Sequence, residues 1–395
     1  MSGESEKIQK KLNIAMVCDP ISEYKAGVLV STLRFAERLR NRGHKIIFIA
    51  ARSPQNPKDD YLDGFKVYRF ASILLPKSEG RWYLSFPTAN KITKILQEEK
   101  INILHILSPM PAAAVSIKVA NALGIKIVVH SHVQPENIFM HMPEWAGREL
   151  CNRIFYKYLF WLYKKSHAII YPSEFAKKMF SGIAGDMEHV VLSNGVDAGE
   201  FKKTYADNFF EKFNPAAEGK KIFYVGRLHP EKCVDTLIKS AGYISDAHIY
   251  IAGFGHQENK LKKLTVQLGL DKKITFLGQI SEEDKIKAYN ACDIFVSPSV
   301  AELEGMTILE AMACGKPIIV ADSKNNAAVF FVDQNGFLFK SCDHKDLAQK
   351  ITAALADPNK LNEMGESSFQ KSKHYDINRS VSRLENLYYS LLNER

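Results

Sequence analysis

The sequence predicts an α/β protein of two Rossmann-like domains, each built on a parallel sheet, facing each other across a cleft. Two observations carry this. Short apolar runs alternate with amphipathic helical stretches along the whole chain, as they do where crossover helices join parallel strands. A chain of 395 residues is also longer than one core usually organises and suits two domains of ~200 residues each.

The first half reads in order. The opening MSGESEKIQKKL is polar and charged, a lead-in to the first strand, LNIAMVCDP. No basic stretch followed by an apolar one precedes it, so no cleaved signal is expected, and no run of eighteen apolar residues offers a membrane span. In the loop and helix ISEYKAGVLVSTLRFAERLRNRGH, Arg34, Arg38 and Arg42 recur every four residues and make one helix face basic. Farther on, LGIKIVVHSHVQPENIF ends a strand with His130 and His132. The segment NRIFYKYLFWLYKKSH, residues 152–167, mixes aromatic rings with Arg153, Lys157, Lys164 and Lys165. That composition suits a membrane surface, apolar on one side and wet on the other, and burial of its aromatic side fits equally. VVLSNGVDAGEF closes this half with the turn formers Asn194 and Gly195, and the stretch from Lys202 to Lys220 reads as a linker.

The second half carries the chemistry. KIFYVGRLHPEKCVDTLIKSA is an apolar strand that turns at Gly226 and continues into a helix from about Cys233. Arg227 and Lys232 therefore stand beyond the strand's carboxyl end, where doubly wound sheets bind ligands. Arg grips phosphate with two parallel bonds and Lys adds a compact charge, so the pair suits a diphosphate. In IYIAGFGHQE, Gly253 and Gly255 mimic the start of a dinucleotide fingerprint, but Glu258 occupies the place of its third glycine. The strand DIFVSPS then gives way to PSVAELEGMTILEAMACGKP, in which Gly305 opens a helix whose stop signals are Gly315 and Pro317. The N–H groups around Gly305, Met306 and Thr307 are the unpaired donors of a helix N-terminus, suited to an anion, and Gly305 admits it closely. Glu302 and Glu310 would repel that anion but can accept hydroxyl donors, one from a ribose diol and the other from a sugar ring. Taken singly, these charges would be ordinary surface residues; two complementary segments together describe a site.

Charge and cysteines narrow the class. Net charge is +10 over residues 1–195 and −1 over residues 196–395, so the positive excess belongs to the first half. Such a half can meet an anionic membrane surface or an anionic acceptor. No nucleic-acid motif accompanies it, and no nucleic-acid partner is expected. Cys18, Cys151, Cys233, Cys292, Cys314 and Cys342 show no C-x-x-C spacing and read as reduced thiols of a cytoplasmic protein without a zinc site.

Gly226, Arg227 and Lys232, followed by Glu302, Glu310 and AMACGKP, resemble the nucleotide-sugar site of glycosyltransferase family 4 (group 1), retaining enzymes with the GT-B fold. The resemblance covers most of the chain. It implies an acceptor-binding domain at 1–198, a nucleotide-sugar domain at 199–375, and a last helix, 376–395, that crosses back to the first domain. It places Gly253 and Gly255 near the nucleotide. Many relatives have two glycines where this chain has Ala26 and Gly27, and Gly27 can still admit a ligand. The family's strand ending T-x-H aligns His132 with its histidine and His130 with its threonine, so His132 is the candidate to contact the donor sugar and acceptor, with His130 in reserve. The following V-Q-P-E-N-I is similar to bacterial enzymes that glucosylate sterols or diacylglycerol.

The resemblance implies transfer of a sugar from a nucleoside diphosphate to a hydroxyl, and its lipid-glucosylating members suggest UDP-glucose as donor and a membrane lipid as acceptor. A GDP-mannose-dependent enzyme acting on a polysaccharide, lipopolysaccharide or soluble acceptor is the alternative. Arg227 and Lys232 would stabilise the departing diphosphate, Glu310 would hold the ribose and Glu302 the transferred sugar. No D-x-D pair is present, and the cations already offset the diphosphate charge, so neither metal nor cofactor is expected. The protein would act in the cytoplasm, peripheral to the inner face of the membrane. A noncatalytic sugar-nucleotide binder, or a phosphorylase with pyridoxal phosphate on a lysine, would share the architecture.

Overall fold

A computed structural model describes residues 10–19, 21, 27–74, 83–133, 147–184, 188–204 and 208–393. The opening residues 1–9, the Ala26 position and the Gln134–Ile138 part of V-Q-P-E-N-I lie outside the described residues.

The first domain contains β1 (Asn13–Val17), β2 (Lys45–Ala51), β3 (Asp60–Leu62), β4 (Phe65–Phe70), the hairpin β5 (Ser72–Leu74) and β6 (Tyr83–Ser85), β7 (Ile103–Ile106), β8 (Lys126–His130), β9 (Ala168–Tyr171) and β10 (His189–Val191). Eight of these form one sheet in the order β10-β9-β8-β7-β1-β2-β4-β3. Its pairs are parallel except at the β3–β4 edge. The central strands are nearly continuous apolar runs, because helices cover both faces of such a sheet. The chain winds outward from β1 to β4 and returns to lay β7 on the other side of β1, so the topological switch lies between β1 and β7. Helices α1 (Gly27–Asn41) and α2 (Arg148–Tyr163) belong to this domain.

The second sheet is built from β11 (Lys220–Val225), β12 (Ala247–Ala252), β13 (Ile274–Gly278), β14 (Ile294–Ser297), β16 (Ile318–Asp322) and β18 (Gly336–Lys340). Its order is β13-β12-β11-β14-β16-β18, all parallel, with the switch between β11 and β14. Beyond β14, the short strand β15 (Ala301–Glu302) pairs with β17 (Asn325–Asn326) and braces the loop that carries Glu302. Helices α3 (Glu282–Ala291) and α4 (Met306–Ala313) flank this loop. The expected linker is only partly one: Phe209 and Phe210 bury in the second domain's core. Average polarity hid these aromatic anchors among the charges around them.

Helix α5 (Ile377–Asn393) lies against the first sheet. Ile377, Val381, Leu384, Leu387, Tyr388 and Leu391 recur at helical spacing and join that sheet's core, at ~1.5–3 kcal/mol for each large apolar side chain fully buried. Its start is set by backbone bonds, Val196 N–H to Tyr375 O at 2.8 Å and Ile377 N–H to Val196 O at 3.0 Å. Gly195, at φ +72°, makes room: a Cβ there would fall 2.7 Å from Ile377 Cα.

The basic face of α1 is a correction. Arg34, Arg38 and Arg42 do share one side, but its charges are paired, with Arg34 buried, Arg38 half-buried and Arg42 exposed. Arg34 reaches Glu310 at 2.9 Å, Arg38 pairs with Asp197, and Arg42 reaches Glu385 of α5 at 2.7 Å. Spacing shows that a face exists; it does not show that carboxylates distant in sequence neutralise it.

Candidate active site

The residues expected to hold the donor gather at the carboxyl ends of β11 and β14, the switch point of the second sheet. Arg227 follows β11, and its half-exposed side chain pairs with Glu231 at 3.1 Å. A single turn, Pro230–Lys232, brings Lys232 Nζ to 2.5 Å from Glu302 Oε1. Gly305 is the N-cap of α4 at φ +108°, a conformation that favours glycine. The next N–H groups, of Met306 and Thr307, belong to the first turn of α4, where intrahelical bonds cannot form.

Gly226, Gly253 and Gly255 are explained by the backbone itself. A Cβ on Gly253 would fall 1.9 Å from Gly226 O, and one on Gly255 would fall 2.4 Å from Leu228 O. On Gly226 it would meet the Tyr224 hydroxyl at 2.7 Å. These glycines let the turns after β11 and β12 pack against each other, which shapes the site without requiring a ligand at any of them.

Glu310, expected to accept hydroxyl donors, already has protein partners on both oxygens. Glu310 is buried, and its Oε1 accepts from Arg34 at 2.9 Å. Its Oε2 lies 3.0 Å from Lys285 Nζ and 3.1 Å from the Tyr289 hydroxyl, both on α3. Burial alone would raise this carboxyl, but the charges of Lys285 and Arg34 outweigh it and hold it below the usual carboxylate range. One lone-pair direction of Oε1 is left for a further donor.

The first domain closes over the loop. A Cβ on Gly27 would lie 4.0 Å from Met306 Sδ, so the start of α1 faces the start of α4. Ser173 donates to Leu303 O at 2.5 Å. Glu304 is buried and accepts from Asn194 N–H at 3.0 Å, Asn194 Nδ2 at 2.7 Å and the Ser193 hydroxyl. Burial pushes the Glu304 carboxyl up to about 7, against the lowering effect of those bonds. Sequence reasoning missed Glu304 and the serines, whose partners lie more than a hundred residues away across the cleft, and Lys285, which meets Glu310 only through the packing of α3 on α4.

His130 ends β8 in the core, stacked between His105 at 5.7 Å and His132 at 3.9 Å between centroids. His132 is half-buried and its Nε2 has no protein partner. Burial lowers all three imidazoles, His105 and His132 to about 3, so the stack is neutral at pH 7. His132 thus offers a neutral ring at the carboxyl edge of the first sheet, while His130 is enclosed. Among the described residues no group of three or more His, Cys, Asp or Glu side chains is arranged to hold a metal ion.

Comparison with known proteins agrees across both domains. Residues 26–200 match the family model described as Glycosyltransferase Family 4, and residues 206–371 match that described as Glycosyl transferases group 1. The Sulfoquinovosyl transferase SQD2 of Arabidopsis thaliana is 24% identical over 98% of this chain and 75% of its own length. The Alpha-monoglucosyldiacylglycerol synthase of Streptococcus pneumoniae is 24% identical over 89% of this chain and 80% of its own. Mannosyltransferases of Mycolicibacterium smegmatis match too, at 27% and 25% identity over 79% and 88% of this chain and 80% and 85% of their own. Among solved structures, the sucrose-phosphate synthase of Thermosynechococcus elongatus superposes with a TM-score of 0.80 at 18% identity, covering 98% of this chain and 100% of that one.

Proposed function

The chain belongs to the family 4, group 1 glycosyltransferases, enzymes of the GT-B fold that use nucleotide sugars, and we propose that it transfers glucose from UDP-glucose, with retention, to a hydroxyl of a membrane lipid. The observation that carries this reading is the contact of Lys232 with Glu302 beside the start of α4. A cation for phosphate and an anion for hydroxyls meet there, with Gly27 of the other domain opposite.

In this reading Arg227, Lys232 and the Met306 and Thr307 N–H groups bind the diphosphate. Glu302 takes hydroxyls of the sugar, and Glu310 shares its Oε1 between Arg34 and the ribose. The bond from the anomeric carbon to the phosphate oxygen breaks, and its electron pair stays on the diphosphate, where the fixed cations stabilise it. The acceptor oxygen bonds to the same face of that carbon, and its proton passes to the departing phosphate oxygen. His132, neutral, orients sugar and acceptor by hydrogen bonds. The cationic site makes the transfer metal-independent, with no cofactor.

A lipid acceptor is supported by the diacylglycerol product named for the pneumococcal relative and by helix α2. Leu150, Ile154 and Trp161 are exposed on α2, and Lys157, Lys164 and Lys165 are exposed along it and just beyond its end. No described helix is long and apolar enough to cross a membrane; α2 would lie on an anionic surface at its cytoplasmic side. The test is nucleoside diphosphate release from UDP-glucose, UDP-galactose and GDP-mannose, with and without lipid vesicles and with EDTA or magnesium. Release from UDP-glucose stimulated by lipid and insensitive to EDTA is expected; a GDP-mannose preference, or dependence on metal, would overturn those parts.

A further inference from the structure

In each sheet one residue stands two positions past the central strand, at the switch point. In the second sheet it is Arg227, after β11; in the first it is Asp19, after β1. Open α/β sheets bind ligands in the crevice at this place, and the donor reading fills only the second sheet's. At the first sheet's switch point Asp19 is 3% exposed, and its Oδ2 has no hydrogen-bond partner. Ser85 of β6 donates to Oδ1, and the Asp19 N–H donates to Ser108 Oγ, which follows β7, at 3.2 Å. The Tyr158 hydroxyl of α2, at 3.4 Å from Met110 O, is close enough for the Asp19 charge, after burial, to help raise its pKa to about 12. Among the described residues no Lys or Arg forms an ion pair with Asp19. Burial, against the Ser85 bonds, pushes its carboxyl up to about 7.

An unpaired buried carboxyl among hydroxyls is costly to keep unless something donates to it. The geometry points to Asp19, with Ser85, Ser108 and Tyr158 around it, as the group that receives the acceptor's headgroup, binding hydroxyls of a neutral polyol. A carboxylate accepts O–H donors and repels a phosphate. Strand spacing separates Asp19 after β1 from His132 after β8 by two strand intervals, roughly 10 Å, room for one sugar ring or a glycerol backbone. The donor loop touches Ser173 and Ser193, beyond β9 and β10, on the other side of His132 from Asp19 in the strand order.

This rests on the glycosyltransferase reading, and the experiment separates the two. Asp19→Asn and Tyr158→Phe are assayed with vesicles containing diacylglycerol, monoglucosyldiacylglycerol or phosphatidylinositol, alongside calorimetric donor binding and thermal midpoints. Asp19→Asn is expected to raise the KM for a neutral polyol lipid tenfold or more, with donor Kd within twofold and the midpoint retained. Tyr158→Phe, which leaves Asp19 in place, is expected to raise the same KM several-fold. An unchanged KM in both variants, a parallel loss of donor affinity, or wild-type preference for phosphatidylinositol would overturn the assignment. Wild-type protein that releases no nucleoside diphosphate from any donor would overturn the glycosyltransferase reading itself, and Asp19's role with it.

Discussion

Arg34 of the first domain donates to Glu310 of the second across 2.9 Å, with both side chains buried. The pair ties the nucleotide side of the cleft to the helix that starts at Gly27, so the candidate ribose ligand is also part of the domain interface. Lys285, 3.0 Å from Glu310 and 2.9 Å from Glu282, completes the charge balance.

Removing one partner of a buried ion pair typically costs ~3–5 kcal/mol, because the other charge is left behind. Arg34→Ala is expected toward the lower end, since Lys285 still neutralises Glu310. A double-mutant cycle of Arg34→Ala and Glu310→Gln, read by chemical denaturation, should show a coupling of about 1 kcal/mol or more. Additive effects would mean the contact is not formed in solution.

Lys232→Ala should cut turnover about 100-fold or more, as loss of a preorganised donor to developing negative charge commonly does. Circular dichroism and the melting midpoint should change little, because Lys232 lies in a single turn outside the sheet and both hydrophobic cores. Unchanged turnover would remove Lys232 from the diphosphate site.

Glu304 gives a pH signature. Its carboxyl is raised in the folded protein from 4.5 to about 7, so the folded state holds the proton more tightly than the unfolded one. Its stability contribution is fully present below pH 4.5 and is lost as pH rises to about 7. The buried histidines titrate with the opposite sign below pH 6.5, so the informative quantity is a difference. Glu304→Gln should gain on the wild type by on the order of 3 kcal/mol between pH 4.5 and 7. A pH-independent difference would place Glu304 in water.

Helix α2 should bind anionic vesicles. Lys164 lies 4.2 Å from the Phe160 ring centroid and Lys165 4.6 Å from that of Trp161, a basic and aromatic end to the exposed stripe. With each Lys near such a surface worth ~1 kcal/mol, Lys164→Glu with Lys165→Glu should abolish flotation with phosphatidylglycerol liposomes at low salt, and added salt should release the wild type. Equal flotation of the double variant would exclude α2.

The local signals were strong where one segment contains its own explanation. The strands and helices of both sheets follow from apolar runs and helical periodicity, and the start of α4 follows from Gly305 and the helix formers after it. Arg227 and Lys232 could be placed at the ligand end of a strand because that end is set by the turn at Gly226. Asp19 was legible only as the end of a strand, since nothing in VCDP says that its carboxyl is buried without a cation.

The sequence by itself determined the class, two parallel-sheet domains, and put charges suited to phosphate and hydroxyls at strand and helix ends of the second, because strand ends, helix starts and charge types are encoded within a few residues. Only the tertiary structure decided which charges are spent on one another. It joined Arg34 to Glu310 and Arg42 to Glu385, and left Asp19 unpaired at the other switch point. Partners hundreds of residues apart meet through the packing of two domains, and electrostatic energy depends on that distance and burial, which residue order alone does not express.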